Sequence, residues 1–304
     1  MTQPSKKFTI LITTKNRLED LTYTLVKIDP LLQRDDVACM LCDDGSTDGT
    51  SEFIKSHYPD IHLIRNEKSK GLIYSRNKLL HLTTTDYAIS IDDDLHFITE
   101  NPLELIDDYF KQHPECGLIG FRIFWSKTEP ESTQTKEQPL RMRSFPGGAN
   151  VWRMKAWHQI PDYPYWFVFH GEEDFASYEL FKKNIEIHYL PSVLVNHRVD
   201  LKARKSNADY MIRLKRSLRS GWFLYFLFFP WIKIPRMLAY SIWMQLKLKV
   251  FKGDFKALQA IVLALFDLVI FIPKIIKHSN RLTLSEYKAY DQLENVRLYW
   301  KPEK

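Results

Sequence analysis

The sequence predicts a doubly wound α/β domain, with a mostly parallel sheet and helices on both faces, followed by a basic helical region. Short β-rich runs alternate with segments at helical spacing, and two acidic clusters fall directly after strands. A third observation is the split in charge. Residues 201–304 hold 20 Lys+Arg against 7 Asp+Glu, a net +13, whereas residues 1–200 hold 23 against 30, a net −7. The expected boundary is near residue 205, giving units 1–205 and 206–304.

Phe8–Thr13 (FTILIT) is a short apolar run suited to a buried parallel strand. Leu18, Leu21, Leu25 and Ile28 follow at helical spacing. Val37–Leu41 is the second strand, Thr50–His57 a short helix and His62–Arg65 a third strand. Gly71–Leu82 reads as a helix with Leu72, Leu79, Leu80 and Leu82 on its apolar side, and Tyr87–Ile91 as a fourth strand. Residues 126–144 are polar and are expected to form a mobile surface loop near the site. A tight turn follows at Phe145–Asn150, and order resumes over Val151–Trp157. The aromatic stretch Tyr163–His170 leads into Gly171-Glu172-Glu173-Asp174 and a helix to about Lys183. Ile185–Leu190 and Val193–Val195 look like closing strands. In such sheets the ligand sits beyond the carboxyl ends of the strands, which is where Asp43-Asp44 and Asp92-Asp93-Asp94 fall.

On an extended segment Asp92 and Asp94 point to one side and Asp93 to the other. Two carboxylates together at a strand end suit a hard cation, Mg2+ or Mn2+, with positions left for phosphate oxygens. The segment CDDGSTDGT (42–50) invites a calcium-loop reading, which counting rejects. With Asp44 as position 1, position 12 would be Lys55, where a bidentate Glu is required. Asp44 is instead placed to accept hydrogen bonds from a base or ribose, with Gly45 letting the ligand approach. Asp48 reads as a cap for the next helix. Glu172, Glu173 and Asp174 fit either helix-dipole charge or a general base beside an acceptor hydroxyl.

The order and spacing of ITTKNR (12–17), CDDGSTDGT (42–50), GLIYSRN (71–77), SIDDDL (90–95), GGAN (147–150) and HGEED (170–174) resemble a family-2 glycosyltransferase with the GT-A fold, over roughly residues 7–200. The resemblance implies that Thr13, Asn16, Arg17, Asp44 and Arg76 hold a nucleotide, with Asp92 and Asp93 beside it. It places the metal on Asp92 and Asp94, joined by His197, and the catalytic base on Asp174, with Glu173 second. The implied reaction is inverting transfer from a UDP- or dTDP-sugar to a hydroxyl of a lipid-linked or cell-surface glycan. Processive members carry Q-x-x-R-W, and this chain has none, which favours adding one or a few sugars. A nucleotidyltransferase is the nearest alternative, but TTKNRLED lacks its glycine-rich phosphate loop. A non-catalytic glycan- or nucleotide-binding scaffold on the membrane is the alternative from another class.

In the basic region, Trp222–Ile232 is short and interrupted by Pro230, and Ala257–Pro273 is apolar apart from Gln259 and Asp267. Lysines and arginines around these patches fit helices lying on an anionic membrane surface. Packing against the first domain or a homodimer interface is the competing use, and the patches are too apolar for nucleic acid. Cys39, Cys42 and Cys116 read as buried strand residues of a reducing compartment rather than a redox or zinc pair. The N-terminus has no secretory pattern, so the expected location is cytoplasmic, peripheral at the inner face of the plasma membrane.

Overall fold

The structure, a computed structural model, describes residues 6–199 and 210–302. The first half alternates strand and helix: β1 (Phe8–Thr14), α1 (Leu18–Leu32), β2 (Val37–Asp43), α2 (Thr50–His57), β3 (His62–Arg65), α3 (Leu72–Leu82) and β4 (Tyr87–Asp92). All three ladders among these strands are parallel, in the order β3-β2-β1-β4. Along β1 the pleat sends Ile10 and Ile12 to a core under α1, and Leu11 to a second core under α3. Helices therefore cover both faces. The register matches Thr14 with Asp43 and Thr13 with Asp92, so both acidic clusters end on one edge.

Residues 95–125 hold β5 (Leu95–Phe97), α4 (Pro102–Gln112) and β6 (Cys116–Trp125), which the sequence pattern does not announce. Strand β6 contains Gly117, Gly120 and Arg122, which interrupt its apolar run. The glycines are set by packing: a Cβ on Gly117 would lie 2.3 Å from Ile185 Cγ2, and one on Gly120 would lie 2.9 Å from Pro146 Cδ. The next elements are β7 (Leu140–Met142), β8 (Ala149–Arg153), the short α5 (Met154–Trp157), α6 (Glu172–Lys182) and β9 (Glu186–His197). Strand β8 inserts antiparallel between β4 and β6, so beyond β4 the sheet is mixed, in the order β8-β6-β9-β5. The expectation of a mostly parallel sheet thus describes its first four strands. The two expected closing strands are one, broken in register around Pro191, where a missing N–H favours a bulge.

Two further expectations change. The polar loop after Trp125 is tied down: Glu129 pairs with Lys27 at 2.7 Å, and β7 joins β9. On α3, Leu82 is exposed, while the buried face includes Ser75, Arg76 and Asn77. The inward side of that helix is thus mixed, with Ile73, Leu79 and Leu80 in the core and Ser75 lining the site.

Helices α7 (Tyr210–Phe228), α8 (Ile234–Leu248), α9 (Phe255–Ile270), α10 (Ile272–Lys277) and α11 (Leu284–Asp291) complete the chain. Most of the expected aromatic patch at 222–232 is core: Trp222, Phe223, Leu227 and Phe228 are buried, with Phe223 5.2 Å from Trp166 and Phe228 5.3 Å from Phe175. Only Trp231 and Ile232 of that block are open to solvent. Helix α9 lies along α7 through Ala257, Ala260 and Ala264, small residues that let the two approach. Asp267, the lone acid of the apolar stretch, meets Lys215 at 2.9 Å and Arg219 at 3.1 Å. Among the described residues no helix is long and apolar enough to cross a membrane. All three cysteines are free and buried.

Candidate active site

The carboxyl edge of β1, β2 and β4, the start of α3, residues 168–169, the end of β9 and α7 line a cleft of about 650 Å³, within the size range of small-molecule sites. Asp92 ends β4 and Asp94 follows it, while His197 is the last residue of β9. His197 Nε2 lies 2.9 Å from Asp94 Oδ1 and 3.8 Å from Asp92 Oδ2. One ligand atom from each of the three falls within 4.8 Å of the others. Asp94 Oδ1 is buried and makes no hydrogen bond of good geometry, despite its nearness to His197. Two carboxylates and an imidazole, with one buried oxygen unsatisfied, fit a hard divalent cation.

Asp93 and Asp94 form the turn between β4 and β5, and Asp93 has partners of its own. It accepts from Thr14 Oγ1 at 2.7 Å and meets Arg17 at 3.2 Å. Burial pushes its carboxyl up to about 7, against the pull of Arg17. Burial acts the same way on Asp94, but the close approach of His197, then Arg17, holds its carboxyl well below the usual range. Two adjacent aspartates are thereby set apart: one shares its proton near neutrality and the other stays charged beside His197.

The two glycines before β8 make this closeness feasible. A Cβ on Gly148 would lie 2.0 Å from Asp92 Oδ2, and one on Gly147 would lie 2.0 Å from Glu173 Oε1 and 2.8 Å from Arg76 Nη1. Asn150 holds the turn by donating to Pro146 O at 2.8 Å and Gly147 O at 2.9 Å. Arg76 is buried below this turn and joins the two acidic segments, with 3.0 Å to Asp92 Oδ1, 3.0 Å to Glu172 Oε1 and 3.8 Å to Glu173 Oε1.

The three acids at the start of α6 diverge. Glu172 is buried against Arg76. Glu173 lies against Gly147, and burial together with the charge of Glu172 pushes its carboxyl well above the usual range. Asp174 turns away and accepts from Ser144 Oγ at 2.9 Å.

Of the expected nucleotide residues, Thr13, Arg17, Asp44, Asp92 and Asp93 line the cleft. Asn16 instead clips two loops together, receiving Thr47 N at 2.8 Å and donating its own N–H to Ser46 Oγ at 2.9 Å. Arg76 lies behind the acids. Asp44 is heavily committed within the protein, accepting from Asn66 Nδ2 and Lys70 N at 2.8 Å, Ser69 Oγ at 2.6 Å and Gly71 N at 2.9 Å. Burial opposes its charge, yet these bonds hold its carboxyl low. Gly45 (φ +81) also serves the fold: a Cβ there would be 3.0 Å from Ser69 N, so the close neighbour is the chain's own backbone. Asp43, which the motif does not single out, accepts from Ser46 N at 2.7 Å and from Ser51 Oγ. Asp48 accepts from Thr50 N at 3.2 Å, at the start of α2, and from Leu18 N at 3.1 Å, at the start of α1. Lys15, Ser69, Lys70, Val168, Phe169, Arg213 and Arg216 are among the other lining residues and escaped sequence reasoning. Only the basic cluster preceding Trp222 hinted at the arginines.

The sequence profile of glycosyl transferase family 2 matches residues 9–169, more than half of the chain, and so spans β1 to the turn before α6. The chain belongs to this family. It is similar to the putative glycosyltransferase EpsE of Bacillus subtilis (strain 168), at 32% identity over 166 residues, covering 46% of this chain and 58% of that protein. It is also similar to the uncharacterized glycosyltransferase YfnE of the same organism, at 27% identity over 144 residues, covering 45% and 36%. The matched part thus spans about half the length of these relatives. Among solved structures, the mannosyltransferase PcManGT from Pyrobaculum calidifontis, in complex with GDP-Man and Mn2+, superposes with a TM-score of 0.55 at 14% identity, over 94% of this chain and 79% of that one. GalNAc-T7 with UDP, GalNAc and Mn2+ gives 0.54 at 14% identity, over 72% and 50%. At that identity the likeness establishes the GT-A fold.

Proposed function

We propose that this family-2 chain is a metal-dependent, inverting glycosyltransferase that moves a sugar from a nucleoside-diphosphate sugar, UDP- or dTDP-linked, to an acceptor hydroxyl. The observation that carries the reading is the Asp92–Asp94–His197 trio at the mouth of a cleft large enough for a nucleotide sugar. Asp92, Asp94 and His197 would hold Mg2+ or Mn2+, which when bound supplies positive charge to offset that building on a departing diphosphate. The similar folds solved with UDP or GDP-Man and Mn2+ support the donor class.

The chain's own residues divide the remaining work. Arg17 holds Asp93 and Asp94 in place, and Arg76 fixes Asp92 against Glu172. Glu173 rather than Asp174 takes the proton from the attacking hydroxyl, because Glu173 lies beside Gly147 and Arg76 whereas Asp174 is bonded to Ser144. A carboxyl raised by burial and by Glu172 is a stronger base near neutral pH than an ordinary one. The test is product analysis with Mn2+ and a panel of nucleotide sugars. A transferase releases nucleoside diphosphate, a nucleotidyltransferase run backwards with pyrophosphate yields nucleoside triphosphate, and a binding scaffold releases neither.

The acceptor is proposed to be a lipid-linked or cell-surface glycan, met with the helical region lying on the anionic inner face of the plasma membrane. Helix α9 is apolar on both sides: Ala257, Ile261 and Ala264 pack inward, while Val262, Phe266 and Val269 are 56%, 65% and 64% exposed. A helix apolar all round needs cover on its outer face. Lys252, Lys256, Lys274 and Lys277 flank these faces and suit an anionic surface. The chain is expected to sediment with anionic vesicles at low salt and to be released by high salt. Failure to bind, together with a stable dimer in solution, would assign the face to a homodimer instead.

A further inference from the structure

The cations of the cleft are unequally used. Arg17 is spent on Asp20, Asp93 and Asp94, at 2.8, 3.2 and 2.7 Å. Lys70 lies 4.7 Å over the ring of Tyr74 and 3.2 Å from its hydroxyl. On the α7 wall, Arg213 and Arg216 also line the cleft, and among the described residues neither has a carboxylate partner. Their neighbours differ. Lys215 and Arg219, four residues apart, turn towards α9 and both bind Asp267. Helix α7 therefore sorts its basic residues by face, one pair sharing Asp267 inside the helical region and the other presented to the cleft.

That wall is anchored. Arg219 also donates to Phe167 O, and Ser220 Oγ donates to Phe169 O at 3.4 Å, which fixes α7 against the segment carrying Val168 and Phe169. Two guanidiniums three residues apart on a helix repel one another unless an anion lies between or beside them. The same cleft carries Asp92, Asp93 and Asp94, which cannot by themselves welcome a phosphate. Arginine forks match phosphate oxygens in pairs, a recognition that lysine performs only as a point charge.

We propose that Arg213 and Arg216 form a phosphate seat on the α7 wall of the cleft that also holds the Asp92–Asp94–His197 trio. The inference rests on the nucleotide-sugar reading above and extends it to a second anchoring point. The phosphate is either that of the donor's diphosphate or that of an amphiphilic polyprenyl-phosphate acceptor, whose chain would lead towards the exposed apolar helices.

The experiment uses the full chain and its Arg213→Ala/Arg216→Ala double variant. Arg213 is exposed and Arg216 half-buried, so the fold should persist, as circular dichroism would verify. Titrations with UDP, GDP, dTDP and UMP, each with Mn2+, are paired with flotation on phosphatidylcholine vesicles with and without a long-chain polyprenyl phosphate. If the seat holds the donor, the double variant binds nucleoside diphosphate at least tenfold more weakly but keeps its affinity for UMP. If it holds the acceptor, nucleotide binding is unchanged and the extra flotation conferred by polyprenyl phosphate is lost. The Arg213→Lys/Arg216→Lys variant should recover part of either loss. A wild type that binds these probes and a double variant that matches it in all of them would overturn the seat alone. A wild type that binds no nucleoside diphosphate would remove the transferase reading, and the seat with it.

Discussion

Glu173→Gln should lower turnover by about 10²–10⁴-fold, the usual worth of a positioned general base, while leaving nucleoside-diphosphate and Mn2+ binding near wild type. The substitution keeps the shape beside Gly147 and removes only the capacity to accept a proton. Asp174→Asn should cost far less, because Asp174 is bonded to Ser144 on the far side of the helix start. The opposite ranking, with Asp174→Asn inactive and Glu173→Gln active, would return the base to Asp174. A pH profile adds a second readout. The base works deprotonated, and burial and the charge of Glu172 raise its carboxyl, so activity should fall on the acid side above the ordinary glutamate range. Glu172→Gln removes the like charge and frees Arg76 to act on Glu173. Both changes lower the pKa of Glu173, so the acid limb should move to lower pH. A limb that stays in place or moves upward would show that Glu173 is not the group titrating.

The parts of this molecule that were legible in the sequence are those where one residue pattern has one physical use. Apolar strands alternating with helices indicate a parallel α/β sheet, whose order β3-β2-β1-β4 the structure supplies, and acids at the ends of β2 and β4 must lie on the carboxyl edge. The expected pairing of Asp92 with Asp94 is found, although the strand ends at Asp92 and a turn at Asp93–Asp94, not the pleat, brings it about. The role of an acid within its cluster is harder to read, because it depends on neighbours distant in the chain. Asp44 is engaged by residues 66–71, and Glu172 and Glu173 are separated in function by Arg76, almost a hundred residues away. Strand β6 escaped because its glycines answer to Ile185 and Pro146, contacts no local pattern reveals. The aromatic block at 222–228 looks like a surface patch by composition and is core, because Trp166 and Phe175 supply its partners.

Asp94→Asn should abolish Mn2+ binding and, with it, transfer. Asp94 is the ligand candidate with the strongest commitment to charge: His197 at 2.9 Å and Arg17 at 2.7 Å hold its carboxyl low in spite of burial. A folded-state pKa below the unfolded value means that the charged form stabilises the fold above the unfolded pKa, and that this contribution is lost as pH falls through the folded value. At neutral pH the metal-free Asp94→Asn variant should therefore melt somewhat below the wild type. The larger difference lies in the response to metal. At a Mn2+ concentration a hundredfold above its Kd, the wild type should gain about 2.7 kcal/mol of stability, and the variant none. Asp93→Asn is the control, since Asp93 faces Thr14 and Arg17 rather than His197, and it should keep most of the Mn2+ response. Titration followed by the electron spin resonance of free Mn2+ reads the same contrast without an enzymatic assay. If Asp94→Asn binds Mn2+ as the wild type does, the trio is an ion-pair network that orders the cleft, and the charge on a departing diphosphate must be met by the arginines instead.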